Sequence, residues 1–310
     1  SQKRRKSGLY TADAIDKNKE QSKLFIILCG SSMSYMEDEV LSYKAPLYGR
    51  KTAQFKIQPF NFEETCEYLK DFNDHDKAFI YGVVGGTPQY LSYADPKSDI
   101  ADNIKAMYLK STSPLFDEPN SLIKLEMKDP AAYTAIISAV ADGYTKLGDI
   151  ASKAGISTAL CANNIKQLKE LPAGEHKTKK TLYSLEDNMF KFWYRFIPEN
   201  ISAINLRATN MVYSNRVAPF LSEYMGYIFE DISKQYLWSL LIRDKCPVRF
   251  SVLGRWWGAD EKRKQETEID IMGIESKERA LFGECKWTNS PADKAVLDAL
   301  IEKGEMFSYP

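Results

Sequence analysis

The chain has 310 residues, with 42 Lys and Arg against 42 Asp and Glu. At about 150 residues per domain that is room for two or three cores, and zero net charge excludes a protein that holds nucleic acid through its overall field, so any such contact must come from a local patch. Five cysteines without a Cys-x-x-Cys pair exclude a disulfide framework and point to a reducing, cytoplasmic setting, while 44% apolar and 27% charged residues exclude long disorder.

The basic residues Lys3, Arg4, Arg5 and Lys6 are followed by no apolar stretch of the kind an export signal needs. A polar segment then leads into Leu24-Phe-Ile-Ile-Leu28, a continuous apolar run that predicts a strand buried on both faces of a parallel sheet. It stops at Cys29-Gly-Ser-Ser32, and the small polar turn after such a strand is where α/β folds place ligands. Next come a loop with Pro46 and Gly49-Arg-Lys-Thr52, a second β-like run over residues 53–57, and a helix over 61–69 opened by the acidic turn Glu63-Glu64. Gly85, Gly86 and Pro88 predict a junction between helices. They also break the uncharged run there, so neither it nor the run from Leu24 is long enough to span a bilayer, and no membrane partner is expected.

An apolar helix over residues 133–141 precedes Thr145-Lys-Leu-Gly-Asp-Ile-Ala-Ser-Lys-Ala-Gly-Ile-Ser157, which has helix, Gly turn and Ser cap in the order of a helix-turn-helix. Residues 158–171 then read as a recognition helix, and 174–180 as a basic hairpin wing. Between Lys146 and Leu185 seven Lys face three acids, a local excess in a neutral chain. Asn163, Lys166, Lys169, Lys177, Lys179 and Lys180 are therefore the candidate nucleic-acid contacts. The alternative is a solvated basic face on a protein-packing module.

The sharpest chemical signal lies in the last ninety or so residues. A long amphipathic helix over 219–242 carries Glu230 among apolar residues; strands are expected over 248–253, 266–272 and 280–287, and a helix over 292–302. Asp270 and Glu284 would sit on adjacent strands, with Lys286 on the same face as Glu284. Two carboxylates, the Cys285 carbonyl and Glu230 are hard-oxygen donors for Mg²⁺, and Lys286 is a cation for an anionic phosphate, as a metal-dependent phosphodiesterase requires. The competing reading is the solvated face of an antiparallel sheet. The order helix, three strands, helix resembles the core of the restriction-endonuclease-like PD-(D/E)xK superfamily.

Leu28-Cys-Gly-Ser-Ser-Met-Ser34, Ala45-Pro-Leu-Tyr-Gly-Arg-Lys-Thr52, Gly85-Gly-Thr-Pro-Gln-Tyr-Leu91, Phe192-Trp-Tyr-Arg-Phe-Ile197 and Gly283-Glu-Cys-Lys-Trp287 together resemble the prokaryotic AAA+/STAND-type ATPases that carry a C-terminal DUF234 domain. The resemblance implies an α/β remnant of a P-loop ATPase over residues 1–75, a helical lid over 76–130, a winged helix-turn-helix over 131–200 and an α+β restriction-endonuclease-like DUF234 domain over 201–310. It places Ser31 or Ser32 at the family's sensor-1 position, against a water or the γ-phosphate of ATP. Arg50 falls where a phosphate or a neighbouring subunit is met, so oligomerisation through the ATPase domain is implied. The bland alternatives are a helix cap for the serines and a surface ion pair for Arg50.

No GxxxxGK[ST] occurs in the chain, so the amide cradle for β- and γ-phosphates is missing. The expectation is an N-terminally truncated member that does not hydrolyse ATP alone. Two function classes follow: a DNA-acting, Mg²⁺-dependent deoxyribonuclease attached to an ATPase, or a nucleotide-regulated switch or scaffold whose nuclease-like domain only binds.

Overall fold

The computed structural model describes residues 2–18, 23, 25–30, 36, 42–43, 45–127, 129–165, 169–170, 182–260, 265–276 and 278–305. The chain divides into two compact units, residues 1–58 with 122–128 and residues 59–121 with 129–310.

In the first unit, α1 (Gln2–Asn18) is a polar helix with a one-turn pair between Lys17 and Asp13 at 2.7 Å. The expected parallel strand is not formed among the described residues. Residues 25–30 and 53–57 join no ladder, and Phe25 is 84% exposed. A strand needs a neighbour's N–H and C=O groups, and the described part of this unit offers none. Hydrophobic sequence alone does not make the sheet. Ser31 and Ser32 lie outside the described residues.

The second unit begins with helices whose ends are written locally. α2 (Phe62–Tyr68) opens on a capping box, Asn61 accepting from the Glu64 N–H while the Glu64 carboxylate accepts from the Asn61 N–H. α3 (Asp74–Val84) is capped by Asn73 and stopped by Gly85, whose φ of 70° suits glycine. Gly86 follows, its carbonyl accepting the Phe60 N–H at 2.9 Å. A Cβ at Gly86 would lie 1.8 Å from the Phe60 carbonyl oxygen, so only hydrogen fits. Pro88 then starts α4 (Pro88–Leu91) at its first turn, giving the helix junction expected there.

Of three successive carbonyls in the last turn of α3, that of Tyr81 already takes the Gly85 N–H at 2.8 Å, while those of Gly82 and Val83 belong to the unpaired helix end. Each receives a side-chain donor from a distant part of the chain: Asn188 Nδ2 to Tyr81 at 3.1 Å, Tyr224 Oη to Gly82 at 2.6 Å and Tyr108 Oη to Val83 at 2.7 Å. Tyr108 closes α5 (Ile100–Tyr108), Asn188 opens α9 (Asn188–Phe196) and Tyr224 belongs to α10 (Ala218–Ile242). The buried core around them includes Ile80, Val83, Leu91, Ile104, Met107 and Phe192.

Between α5 and α9 lie α6 (Pro130–Ala141), α7 (Leu147–Ala154) and α8 (Thr158–Asn164). Gly155 is left-handed at φ 68°, and the Ser157 hydroxyl accepts the Leu160 N–H, so helix, Gly turn and Ser cap occur in the expected order. The second helix stops at Asn164 rather than 171. The Asn164 side chain turns back to the Leu160 carbonyl at 2.8 Å, and the backbone next described, β1 (Lys169–Glu170), pairs antiparallel with β2 (Leu182–Tyr183). Backbone groups committed to a ladder cannot also close helical turns.

At the C-terminal end β3 (Val252–Asp260), β4 (Gln265–Ser276) and β5 (Arg279–Gly283) form an antiparallel sheet in that order, followed by α11 (Lys294–Glu305). α10 matches the expected helix closely. The first strand starts four residues later than expected, because Val248 and Phe250 are buried as loop anchors, with Phe250 against the Trp238 ring at 5.0 Å. Met272, Ile274, Trp256 and Phe282 make the small apolar cluster of the sheet.

Candidate functional site

The site grows from the place where β4 and β5 part. Their ladder ends at the pair Ile271 and Gly283. One residue further, the Asp270 carboxylate replaces the backbone partner, Oδ2 accepting the Cys285 N–H at 2.8 Å. Glu284, Cys285 and Lys286 therefore lie just past the strand end and not on it, which corrects the expected strand over 280–287. Trp287 fixes the segment beyond, packed against Phe79 and Phe229 and stacked on His75 at 5.7 Å between ring centroids.

Asp270 is 8% exposed, and its main-chain partner helps to offset the cost of burying it. Glu284 bonds Lys286 through Oε1 at 2.7 Å and Lys303 of α11 through Oε2 at 3.0 Å. Burial pushes the Glu284 carboxyl up, but the two ammoniums outweigh it and hold the group below the ordinary glutamate range. Lys286 is raised by its bond to Glu284 against partial desolvation, with Asp270 adding to the pull. Glu230 reaches the same neighbourhood from α10. Burial raises its pKa despite an ion pair with Arg255 of β3 at 2.5 Å, and the Asp270 charge adds to the rise. The Cys285 thiol is also raised by burial; the Ser233 hydroxyl bonds it, and both Asp270 and Glu230 bear on it.

Asp270, Glu284, Lys286, Cys285 and Glu230 are thus brought into one region, as the sequence spacing implied. They are arranged as ion pairs and a capped carboxylate, and among the described residues no three His, Cys, Asp or Glu side chains group as a metal-holding set. The donor types still fit a hard cation, being carboxylates and a main-chain carbonyl. An ion entering would have to take Glu284 from its lysines.

An open cleft of about 410 Å³ adjoins the pair, lined by Glu284, Lys286, Asp293, Val296, Ala299 and Lys303 among others. Sequence reading missed Lys303 and Arg255. For Lys303 a signal existed, since Val296, Ala299 and Lys303 recur at helical spacing on the side of α11 that lines the cleft.

The other candidates fall elsewhere. Arg50 forms a two-pronged ion pair with Asp16, at 2.9 and 2.7 Å, and donates to the Pro46 carbonyl. That is the surface-pair alternative for this residue. Asn163 is exposed on α8, and Lys169 lies on β1; Lys166, Lys177, Lys179 and Lys180 are outside the described residues. Among the described residues, no helix is long and apolar enough to cross a membrane.

Residues 9–94 match the model of an ATPase domain found predominantly in Archaea, and residues 193–297 match DUF234, a family of archaeal and bacterial proteins of unknown function. The chain is therefore similar to ATPase-type proteins with a C-terminal DUF234 segment. A relative from Methanocaldococcus jannaschii, itself described as uncharacterized, is 32% identical over 282 residues, covering 88% of this chain. The chain spans 62% of that relative's length. No solved structure matches.

Proposed function

We propose that α10, β3 to β5 and α11 carry a metal-dependent phosphodiesterase site acting on DNA, attached to an ATPase-like region. The observation that carries this reading is the convergence of buried Asp270 and the Glu284–Lys286 pair where β4 and β5 part. Asp270, Glu284 and the Cys285 carbonyl, with Glu230 from α10, would hold Mg²⁺. The ion would supply Lewis-acid polarisation and a more acidic bound water.

The chain's own residues do the rest. The Cys285 N–H holds Asp270 in one orientation, and Lys286, 47% exposed, can reach an anionic phosphate in the cleft. Val296 and Ala299 line the same cleft as that ammonium. In the same proposal α7, Gly155, α8 and the β1–β2 hairpin serve as a winged helix-turn-helix. Asn163, Lys166, Lys169, Lys177, Lys179 and Lys180 then supply its phosphate and base contacts.

The test is cleavage of plasmid and single-stranded DNA in Mg²⁺ or Mn²⁺, beside Asp270→Asn and Lys286→Met. Cleavage lost in both variants supports the site. No cleavage, together with no metal uptake by calorimetry, overturns it.

A second reading has its own observation. Every candidate carboxylate already has an internal partner: Arg255 for Glu230, the Cys285 N–H for Asp270, and two lysines for Glu284. That pattern favours a nuclease-like fold kept as a binding scaffold, regulated through the ATPase-like region. Unchanged melting temperature on adding Mg²⁺ is the result it expects.

A further inference from the structure

Glu284 is the most enclosed member of its trio, 13% exposed against 47% for Lys286 and 25% for Lys303. Each of its two oxygens holds one ammonium, and those ammoniums come from different elements: the segment after β5, and α11. All three side chains line the same cleft. The remaining charged group of that lining, Asp293, is already used at the start of α11, where its Oδ1 accepts the Val296 N–H at 3.1 Å. Glu284 and Asp293 balance Lys286 and Lys303 in that lining, but both ammoniums converge on the one carboxylate of Glu284, beside a space partly walled by apolar side chains.

We propose that Lys303 is a second phosphate-binding cation of this cleft, and that Glu284 holds both lysines in reserve until a divalent cation takes the carboxylate. The inference rests on the reading above that the cleft receives a phosphodiester. A divalent ion attracts a carboxylate more strongly than an ammonium does at like distance. Once Glu284 turns to it, both Nζ groups lose their acceptor in a half-enclosed site, and an oxyanion can replace that acceptor. Metal and phosphate then promote each other's binding, by the same factor in each direction. Lys303 has two opposed effects in this scheme: it competes with the metal for Glu284, and it grips the anion.

Lys303→Met separates the two. The whole chain is titrated with Mg²⁺ by calorimetry, and with diphenyl phosphate, followed by phosphorus NMR, in the presence and absence of Mg²⁺. In the parent chain Mg²⁺ should tighten diphenyl phosphate binding about tenfold. In Lys303→Met, Mg²⁺ should bind about threefold more tightly and diphenyl phosphate about tenfold more weakly. Lys303→Arg should keep the anion affinity within about twofold.

Anion binding that is absent from the parent chain, or unchanged in Lys303→Met, overturns the inference, as does weaker Mg²⁺ binding in that variant. Opposed shifts in a protein that never cuts DNA would keep the cation pair and remove the nuclease reading. DNA cleavage unaffected by Lys303→Met, with diphenyl phosphate affinity also unaffected, would do the reverse.

Discussion

The Asp270 carboxylate accepts the main-chain N–H of Cys285 at 2.8 Å, so one buried acid both ends the β4–β5 ladder and aims the segment that carries Glu284 and Lys286. Asp270→Asn keeps an oxygen acceptor at that N–H and should unfold within about 1 kcal/mol of the parent, whereas Asp270→Ala leaves a part-buried donor unsatisfied and should lose about 1–3 kcal/mol. Urea denaturation of the two variants checks this. Equal stability of Ala and Asn would show that the bond does not hold the segment.

Tyr224 donates to the Gly82 carbonyl at 2.6 Å and lies 3.2 Å from the Asn188 carbonyl, fully within the core. Burial lifts its hydroxyl well above the ordinary tyrosine range. Tyr224→Phe keeps the ring and removes the donor. The expected loss is about 1–3 kcal/mol in the urea transition, with little change of slope.

Gly86 offers a sharper steric test. Because an added Cβ would fall 1.8 Å from the Phe60 oxygen, Gly86→Ala must push apart the chain entering α2 and the junction after α3, breaking the Phe60 to Gly86 hydrogen bond. A loss of about 3 kcal/mol is expected. Gly148→Ala, with open space around its Cβ, is the control, expected to be neutral or slightly stabilising because glycine is a poor helix former.

Glu63 ties α2 to α10. Its carboxylate is bonded by Arg243 and by the Ser239 hydroxyl, and these bonds lower its pKa below the ordinary glutamate value. A carboxyl lowered in the folded state contributes stability that is present above its unfolded pKa and is lost as pH falls through its folded one. Glu63→Gln should therefore flatten the acid limb of a stability–pH profile and change its shape little above neutrality. Denaturant midpoints taken at steps from neutral to acid pH would reveal this.

Local chemistry written in a few adjacent residues was legible without coordinates. The helix opened by Glu63-Glu64, the Gly85-Gly-Thr-Pro junction, the Gly155 turn with the Ser157 cap and the long apolar face of α10 all occur where the sequence implies. The misses share a cause, since strand identity is a property of pairs. Leu24-Phe-Ile-Ile-Leu28 has ideal composition for a buried strand, yet its described residues join no ladder. Residues 284–287 continue the alternation of β5, yet Asp270 draws their backbone away. Of the candidate site, Asp270, Glu284 and Lys286 could be read from order and spacing. The pairs Arg255 with Glu230 and Lys303 with Glu284 could not, because they span 25 and 19 residues.

Trp287 sits against His75 and Phe79 of α3 as well as Phe229 of α10. His75 and Phe79 fall in the stretch that matches the ATPase domain, Phe229 and Trp287 in the stretch that matches DUF234. The two matched stretches thus share aromatic packing across a boundary that family matching alone would draw between them. Cutting the chain at residue 193 to isolate the second stretch would bare one side of Trp287 and separate the Tyr224 donor from the Gly82 carbonyl of α3. The serviceable unit for expression and crystallisation is the one that keeps both sides of that indole.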